Sequence, residues 1–346
     1  MDRRSTVYAR CILPVSDPAV HQYDIYHPFK KGFLEQDRYS YPMLKNRSVV
    51  SIDDVSKEDL TEIFETSDEM SRLLEQHKPL KIMDGKIMAT LFYEPSTRTR
   101  LSFESAMNRL GGSVITVSDT GSSSISKGET LADTIRMTES YSDIIVIRHP
   151  MEGAAKLASR FSSKPVINAG DGSGQHPTQT LMDLYTIKKE KGRIDGLNIA
   201  MIGDLRYRRT VHSLLLALSR FDVSVTLVSP QILGIPEHIL ARVPDRTEIT
   251  ITDNLSDVLK KSDVFYVTRI QKERFTDQNE YQSVIGSYSV DEKAVSEMKE
   301  DAIIMHPLPR IDEISPEVDY SKKAAYFRQA ANGVPVRMAL VSTILG

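Results

Sequence analysis

The chain has 346 residues, 40% hydrophobic and 26% charged, which is typical of a globular protein, and its length predicts two domains of about 100–200 residues each. Its formal net charge of −3, from 44 basic and 47 acidic residues, argues against a general nucleic-acid binder, which would carry a basic face. The single cysteine, Cys11, excludes an internal disulfide and a cysteine-based metal cluster.

Residues 1–44 are predicted to form an N-terminal arm. The arm lacks the apolar core of a secretory signal, and no run of 18 apolar residues occurs in the chain, so we expect no membrane span and a cytoplasmic location. Between Arg3 and Val15 the arm has basic residues but no acid, so an organelle transit segment is the alternative. His21 and His27 are interpreted as incidental, and we expect no metal or cofactor.

From Ser48 onward, short β-branched runs alternate with amphipathic segments, a pattern that predicts parallel sheets covered by helices. The predicted strands cover residues 86–93, 113–118, 143–148, 165–169, 198–204, 223–229, 247–252, 263–270 and 302–305. The predicted helices cover residues 97–110, 129–141, 152–161, 177–191, 209–221, 255–262 and 330–344. Two sets of strands, joined by the helix that begins near Pro177, predict an α/β fold of two doubly wound parallel-sheet domains with the active site in the cleft between them.

The first domain is predicted to span residues 45–177 and the second residues 178–329, with the C-terminal helix in residues 330–346 returning to the first. Ligands of open α/β sheets bind beyond the carboxyl ends of the strands. Residues that can bind anions or take part in catalysis follow six of the predicted strands: Ser96, Arg148, His176, Arg209, Arg269 with Gln271, and Leu308. Their recurrence at strand ends predicts a single site.

Residues 92–100, Phe-Tyr-Glu-Pro-Ser-Thr-Arg-Thr-Arg, run from a predicted strand into a predicted helix. The free amides and the positive dipole end of a helix start form an anion site. Ser96, Thr97 and Thr99 add hydroxyl donors. Arg98 adds a planar cation suited to phosphate. A simple N-cap role for Ser96, with solvated arginines, is the alternative, but Arg98 at this strand end favours phosphate binding.

Residues 96–100 resemble the Ser-Thr-Arg-Thr-Arg signature of the aspartate/ornithine carbamoyltransferase family, and the similarity continues through the Leu-Ser-Phe-Glu that follows. The resemblance covers roughly residues 49–341, almost everything beyond the arm. It implies that this segment holds the phosphate of the substrate carbamoyl phosphate. It also implies that Thr99, Arg148 and His176 reach the carbonyl oxygen of that substrate.

The His-Pro-Thr-Gln segment at residues 176–179 is a second matching motif. A lone histidine before a proline more often begins a helix than takes part in catalysis. In the family that the chain resembles, however, this histidine donates to the carbonyl oxygen of the substrate. The resemblance further implies that Gln179 lies near the carbamoyl amide.

The polar segment Ser-Ile-Ser-Lys-Gly-Glu at residues 124–129 precedes a predicted helix. By itself it indicates a solvated loop, and it lacks the Gly-x-x-x-x-Gly-Lys-Ser/Thr pattern of a Walker A phosphate site. In the resembled family, the corresponding serine and lysine reach into the active site of a neighbouring subunit. The resemblance therefore implies a homotrimer with shared active sites, in which Ser124 and Lys127 bind carbamoyl phosphate and Lys127 also contacts aspartate.

An acceptor that brings two carboxylates requires cations in the second domain. Arg209, and Arg269 together with Gln271, lie in two segments that resemble the aspartate-binding motifs of the family. Surface ion pairs are the alternative for both arginines. Arg208 stands where the family usually has a small residue, and this third arginine either points outward, alters affinity or binds another anion.

The His-Pro-Leu-Pro-Arg segment at residues 306–310 is the third matching motif. In the family, backbone carbonyls around Pro307 and Leu308 accept hydrogen bonds from the substrates, and the prolines restrict that backbone. Ornithine carbamoyltransferases typically carry cysteine in place of Pro307 and lack the paired arginines. The segment therefore favours aspartate over ornithine.

The resemblance implies transfer of the carbamoyl group of carbamoyl phosphate to the α-amino group of L-aspartate, which gives N-carbamoyl-L-aspartate and phosphate in the committed step of pyrimidine synthesis. Five predicted cations balance about four negative charges on the two substrates: Arg98, Lys127, Arg148, Arg209 and Arg269. Transfer to another amino acid such as ornithine, or anion binding without catalysis, are the alternatives. The sequence leaves open whether regulatory subunits or other pathway enzymes bind.

Overall fold

The computed structural model describes residues 44–117, 128–270, 275 and 277–346. Its strands are β1 Ile87–Phe92, β2 Ser113–Val117, β3 Ile144–His149, β4 Val166–Asp171, β5 Leu197–Ile202, β6 Val223–Val228, β7 Glu248–Thr252, β8 Val264–Val267 and β9 Ile303–Met305. Its α-helices are α1 Lys57–Glu75, α2 Thr97–Arg109, α3 Leu131–Glu139, α4 Ala154–Phe161, α5 Pro177–Lys191, α6 Arg209–Leu218, α7 Glu237–Leu240, α8 Ser256–Leu259, α9 Gln278–Val284, α10 Glu292–Glu297 and α11 Tyr326–Leu345. Within the described residues, no helix combines the length and the apolar character needed to cross a membrane.

Several predictions fall on residues outside the described ranges. They concern the arm, apart from its last residue, and the site residues Ser124, Lys127 and Gln271. Because the structure does not describe these residues, the roles assigned to them remain predictions.

The described strands form two parallel sheets with the orders β2-β1-β3-β4 and β7-β6-β5-β8-β9. In β3, Ile144 and Val146 belong to one buried cluster while Ile145 and Ile147 belong to another, because both faces of the sheet are covered. Chain order reverses between β1 and β3 in the first sheet and between β5 and β8 in the second. The predicted α/β fold with two doubly wound parallel sheets is confirmed, and its two reversals are the points where such sheets bind ligands.

Two predicted elements have only half of their predicted length in the structure. The strand predicted over residues 263–270 ends at Val267, because β5 ends at Ile202 and β9 at Met305, so the following residues have no strand to pair with. The helix predicted over residues 255–262 is the single turn α8, because the chain then turns directly into β8.

Helix α1 is absent from the predicted elements, as are the short helices α7, α9 and α10. The start of α1 carries a reciprocal cap. Ser56 Oγ accepts from the amide of Asp59 at 3.0 Å, and Asp59 Oδ2 accepts from the amide of Ser56 at 2.7 Å. Leu60 and Ile63 are buried on its inner face. The serine followed three residues later by an acid is the signal that could have predicted this helix.

Helix α11 begins at Tyr326, earlier than the predicted start near residue 330. It packs against α1, α2 and α5, and its residues Val336, Met338 and Leu340 share a buried cluster with residues of β1 and β3. The last helix therefore closes over the helices of the first sheet. The bounds of the two domains stay predictions.

The reversal in the second sheet depends on a close approach of β5 to β8. Gly203 follows β5 with φ +109°, and a Cβ atom there would lie 2.2 Å from the carbonyl oxygen of Thr268, which follows β8. A side chain cannot fit at that distance, and an L-residue is strained at such a φ. Glycine thus allows the two chain segments that carry Arg209 and Arg269 to leave the sheet side by side.

We predict that Gly203→Ala lowers the free energy of unfolding by about 2–5 kcal/mol, from backbone strain plus overlap with Thr268. Gly192→Ala is the matched control, because Gly192 also has a positive φ of 73° but has no atom within 4 Å of a built Cβ. The Gly192→Ala variant should lose only about 1–2 kcal/mol of its free energy of unfolding. Denaturant unfolding measures both, and equal losses would show that the close approach is unimportant.

Candidate active site

The carboxyl ends of the two sheets open onto one cavity of about 540 Å³. It is lined by all of the predicted site residues that the structure describes: Ser96, Thr97, Arg98, Thr99, Arg148, His176, Gln179, Arg209, Arg269, Pro307 and Leu308. They lie at or beyond the carboxyl ends of β1, β3 and β4 on one side and of β5, β8 and β9 on the other, so the folded chain gathers residues spread over more than half of its length.

Three helices, α2, α5 and α6, begin at this cavity, and none of the three has a side-chain cap. Their N-cap residues are Ser96, His176 and Arg208. By contrast, the side chains of Ser56 and Thr130 cap α1 and α3. Uncapped helix starts leave backbone amides and positive dipole ends available to an anion. Ser96 thus holds the N-cap position of α2 without a side-chain capping hydrogen bond, and its role in phosphate binding stays a prediction.

The phosphate motif also presents an available cation. Arg98 is exposed and makes no hydrogen bond or ion pair with another described residue, whereas Arg100 pairs with Glu104 at 3.6 Å. Thr99 is buried at the base of the same helix start. The motif thus combines a helix start, hydroxyl groups and one guanidinium group that no acid neutralises.

Glu94 links arginines that come from the two sheets. Its Oε2 lies 3.3 Å from Arg148 Nη2 and 3.4 Å from Arg209 Nη2. Each arginine is also held by a backbone carbonyl: Arg148 Nη1 donates to Ala169 at 3.1 Å and Arg209 Nη1 donates to Gly172 at 2.6 Å. Burial and the nearby Arg209 lower the pKa of Arg148 to about 10, so Arg148 is charged at neutral pH.

Three predicted site residues converge on the backbone of Gly170 in β4. A Cβ built at Gly170 would lie 3.1 Å from Arg148 Nη1, 3.2 Å from Arg209 Cζ and 3.2 Å from His176 Cδ2. Any larger residue there would displace all three side chains. The sequence analysis did not identify Gly170, because its importance depends on side chains from three different elements.

His176 is buried and electrically neutral at neutral pH. Burial holds its pKa well below the usual range, and the positive charges of Arg209, Arg148 and Arg337 act in the same direction. Its Nδ1 makes no hydrogen bond within the described part of the chain. A neutral imidazole can donate one hydrogen bond to a substrate oxygen without adding a further charge to a crowded cationic site.

Arg208 turns inward to the neighbouring chain segment. Its Nε and Nη2 donate to the carbonyl oxygen of Arg269 at 3.1 and 2.8 Å. Arg208 therefore ties the start of α6 to the end of β8, and it does not point outward. The side chains of Arg209 and Arg269 line the cavity on either side of this connection.

Comparisons with known proteins identify the family of this chain. The family model described as aspartate/ornithine carbamoyltransferase, carbamoyl-P binding domain, matches residues 47–189, and the one described as Asp/Orn binding domain matches residues 195–344. The aspartate carbamoyltransferase catalytic subunit of Thermoplasma acidophilum is 70% identical over 304 residues, which are 88% of this chain and 100% of that protein. The chain belongs to the aspartate/ornithine carbamoyltransferase family.

Solved structures of this family share the fold. The aspartate transcarbamoylase catalytic subunit of M. jannaschii has a TM-score of 0.80 at 54% identity, over 86% of this chain and 97% of that one. Aspartate transcarbamoylase from Trypanosoma cruzi, in complex with carbamoyl phosphate and aspartate, has a TM-score of 0.85 at 43% identity, over 88% of this chain and 99% of that one.

Behind the cavity of this carbamoyltransferase-family chain lies a buried network that the sequence analysis missed. Asp183 accepts hydrogen bonds from Gln179 Nε2 at 2.8 Å, the Tyr266 hydroxyl at 2.8 Å and Gln329 Nε2 at 2.6 Å. Gln329 Oε1 in turn accepts from the amide of His306 at 2.8 Å. The network fixes the orientation of Gln179 and links α5 to β8, β9 and α11.

The imidazole of His306 organises the turn that carries Pro307 and Leu308. Nε2 of His306 lies 2.6 Å from Glu313 Oε1, and Nδ1 accepts from the amide of Leu308 at 2.7 Å. An accepting Nδ1 means that Nε2 carries the hydrogen and donates to Glu313. The histidine of this motif is therefore a structural support for the backbone carbonyls at the cavity.

We predict that Asp183→Asn removes a pH-dependent loss of stability. Burial raises the pKa of Asp183 to about 6, whereas an unfolded aspartate titrates at about 4. The proton on the Asp183 carboxyl group stabilises the folded protein at pH values below about 4. This contribution is lost as the pH rises through 6 and the buried group ionises. Denaturant unfolding at pH 4 and 7 should show wild-type stability falling, relative to the variant, by on the order of 3 kcal/mol.

Tyr266→Phe serves as the control for this measurement. It removes one hydrogen bond to the ionised Asp183 carboxylate, which should raise the pKa further and move the loss of stability to higher pH. A difference between wild type and Asp183→Asn that stays constant from pH 4 to 7 would contradict a raised pKa.

Proposed function

We propose that the chain catalyses transfer of the carbamoyl group from carbamoyl phosphate to the α-amino group of L-aspartate. The observation that carries the proposal is a surplus of fixed cations in the cavity, because Glu94 is the one acid among its described lining residues. The predicted cations that line it are Arg98, Arg148, Arg209 and Arg269. Such a surplus suits the simultaneous binding of two anionic substrates. The relatives named aspartate carbamoyltransferase support the same activity.

For the donor, we place the phosphate at the uncapped start of α2, where Ser96, Thr97 and Arg98 meet. Thr99, Arg148 and His176 then surround the carbonyl oxygen, and Gln179 lies beside the carbamoyl amide. Ser124 and Lys127 add contacts from a neighbouring subunit. This arrangement positions the carbamoyl carbon between the anion site of the first sheet and the arginines of the second.

For the acceptor, we place the carboxylates of aspartate at Arg209 and Arg269, with Gln271 and Lys127 as further contacts. The backbone carbonyls of Pro307 and Leu308 accept hydrogen bonds from the substrates. The paired arginines favour a dicarboxylate over ornithine, whose side chain is a cation. Transfer to ornithine is the alternative function.

The reaction that follows is a direct acyl transfer. The neutral α-amino group attacks the carbamoyl carbon, a C–N bond forms, and the carbonyl oxygen becomes an oxyanion. In this proposal, donors from Thr99, Arg148 and His176, all of which line the cavity, stabilise that oxyanion. The oxyanion then re-forms the carbonyl as the bond from the carbamoyl carbon to the phosphate oxygen breaks, and the leaving phosphate takes the electron pair of that bond and accepts the proton that the amine loses. Positioning and fixed positive charge supply most of the catalysis.

An exposed apolar surface on the first sheet supports a homotrimer. Leu101 on α2 is 53% exposed, and Ile115 and Val117 on the edge strand β2 are 41% and 36% exposed. Grouped apolar residues at one sheet edge are typical of a protein contact surface. In the sequence, residues 118–127, which include Ser124 and Lys127, directly follow β2.

Three further expectations come from the family resemblance and stay proposals. They are a role in pyrimidine synthesis, a cytoplasmic location, and association with regulatory subunits or pathway enzymes. The relatives are named catalytic subunits, which supports a search for a regulatory partner.

We predict that the purified chain carbamoylates aspartate in preference to ornithine and N-acetylornithine. Arg269→Ala should raise the KM for aspartate on the order of 10–100-fold, because a charge-assisted hydrogen bond to a carboxylate is lost. Arg193→Ala, which removes an exposed arginine outside the cavity lining, is the control and should leave the KM for aspartate unchanged. Phosphate binding without turnover of any amino acid would show that the chain is a non-catalytic anion binder.

A mixing experiment tests the shared site. Arg98→Ala and Lys127→Ala homotrimers should each lose on the order of 100-fold or more in activity. In a mixed trimer about one active site in three receives both wild-type residues, so about a third of the activity should return. Wild-type trimers mixed with themselves are the control. Mixed trimers that stay inactive, with their composition confirmed by mass, would refute sharing.

A further inference from the structure

Arg337 on α11 is a buried cation that lines the same cavity. Its side chain is 3% exposed, and the guanidinium group lies over the Phe103 ring with 5.0 Å from Cζ to the ring centroid. Nη1 donates to the carbonyl oxygen of Gly333 at 3.0 Å and lies 4.0 Å from Met182 Sδ. Arg337 stands in the apolar stretch Val-Pro-Val-Arg-Met-Ala-Leu, where the pattern indicates only a buried helix face.

The positive charge of Arg337 is not neutralised by an acid. It forms no ion pair within the described part of the chain, and its buried Nε makes no hydrogen bond there. Burial lowers the pKa of Arg337 to about 10, so the group is charged at neutral pH. Asp183 exerts some attraction, but its own oxygens already accept three hydrogen bonds from uncharged groups.

An unpaired buried cation carries a large desolvation cost. That cost is offset when a ligand brings a compensating negative charge into the cavity. Arg337 contacts Phe103 on α2 and Met182 on α5, and these helices also carry Thr99 and Gln179, cavity residues that we assign to the side of the phosphoryl donor. A dianionic phosphate compound is therefore the ligand whose charge this group matches.

We propose that Arg337 is a further anion-binding residue of the cavity, which holds the phosphoryl donor from the side of the C-terminal helix. The inference rests on the proposed function and adds a cation that the resemblance did not include. The competing explanation is purely structural: Arg337 fills space between Phe103 and Met182 and stabilises the packing of α11.

The two explanations predict opposite effects on the ligand-free protein. If Arg337 serves anion binding, Arg337→Met removes an uncompensated charge while keeping much of the volume, so the Tm without ligand stays the same or rises. The dissociation constant for inorganic phosphate, measured by calorimetry, should rise on the order of tenfold or more. The increase in Tm that phosphate produces should shrink accordingly. Arg337→Lys keeps the charge and should give intermediate affinity.

Arg328→Met is the matched control on the same helix. Arg328 pairs with Glu190 at 2.7 and 2.8 Å and does not line the cavity, so its loss should slightly lower the Tm and leave phosphate affinity unchanged. The inference is overturned if Arg337→Met binds phosphate within twofold of wild type, or if it unfolds readily or fails to fold. Phosphate binding is independent of turnover, so a failed aspartate assay would refute the proposed function without deciding the role of Arg337.

Discussion

Neutral backbone carbonyl groups hold most of the arginines of the cavity in place, and this keeps the site positively charged. The donor and acceptor pairs are Arg148 with Ala169, Arg208 with Arg269, Arg209 with Gly172, and Arg337 with Gly333. Acids in the same places would fix the side chains but would neutralise the charge that two anionic substrates require. Glu94 is the exception, and two arginines share it, so each is only partly neutralised.

The fold makes this arrangement attainable because parallel strands end on the same side of their sheet. The helices that follow β1, β4 and β5 start at the cavity without side-chain caps, so their amides and dipoles add to the positive field. The close approach at Gly203 and the absence of a side chain at Gly170 let the cavity side chains converge without overlap. Backbone geometry and charge thus act together at both reversals of strand order.

Polar groups behind the arginines are held in protonation states that suit a cationic site. Burial and the surrounding positive charge keep His176 neutral, so it can donate a hydrogen bond without adding to the repulsion. Asp183 orients Gln179 through a hydrogen bond and connects it to Tyr266 and Gln329 in other elements. One buried carboxylate therefore couples Gln179 at the cavity to the second sheet and to the last helix.

The sequence by itself determined the alternation of strands and helices and 11 of the 23 residues that line the cavity. Ser96, Arg148, His176 and Arg209 were identifiable because their placement follows from the strand that precedes each of them. Only the tertiary structure decided the roles of Glu94, Asp183 and Arg337. Glu94 meets Arg209 from 115 residues away, and Asp183 meets Gln329 from 146 residues away, so no local pattern records these contacts. Charge compensation in a cavity depends on distances between elements, and folding alone sets those distances.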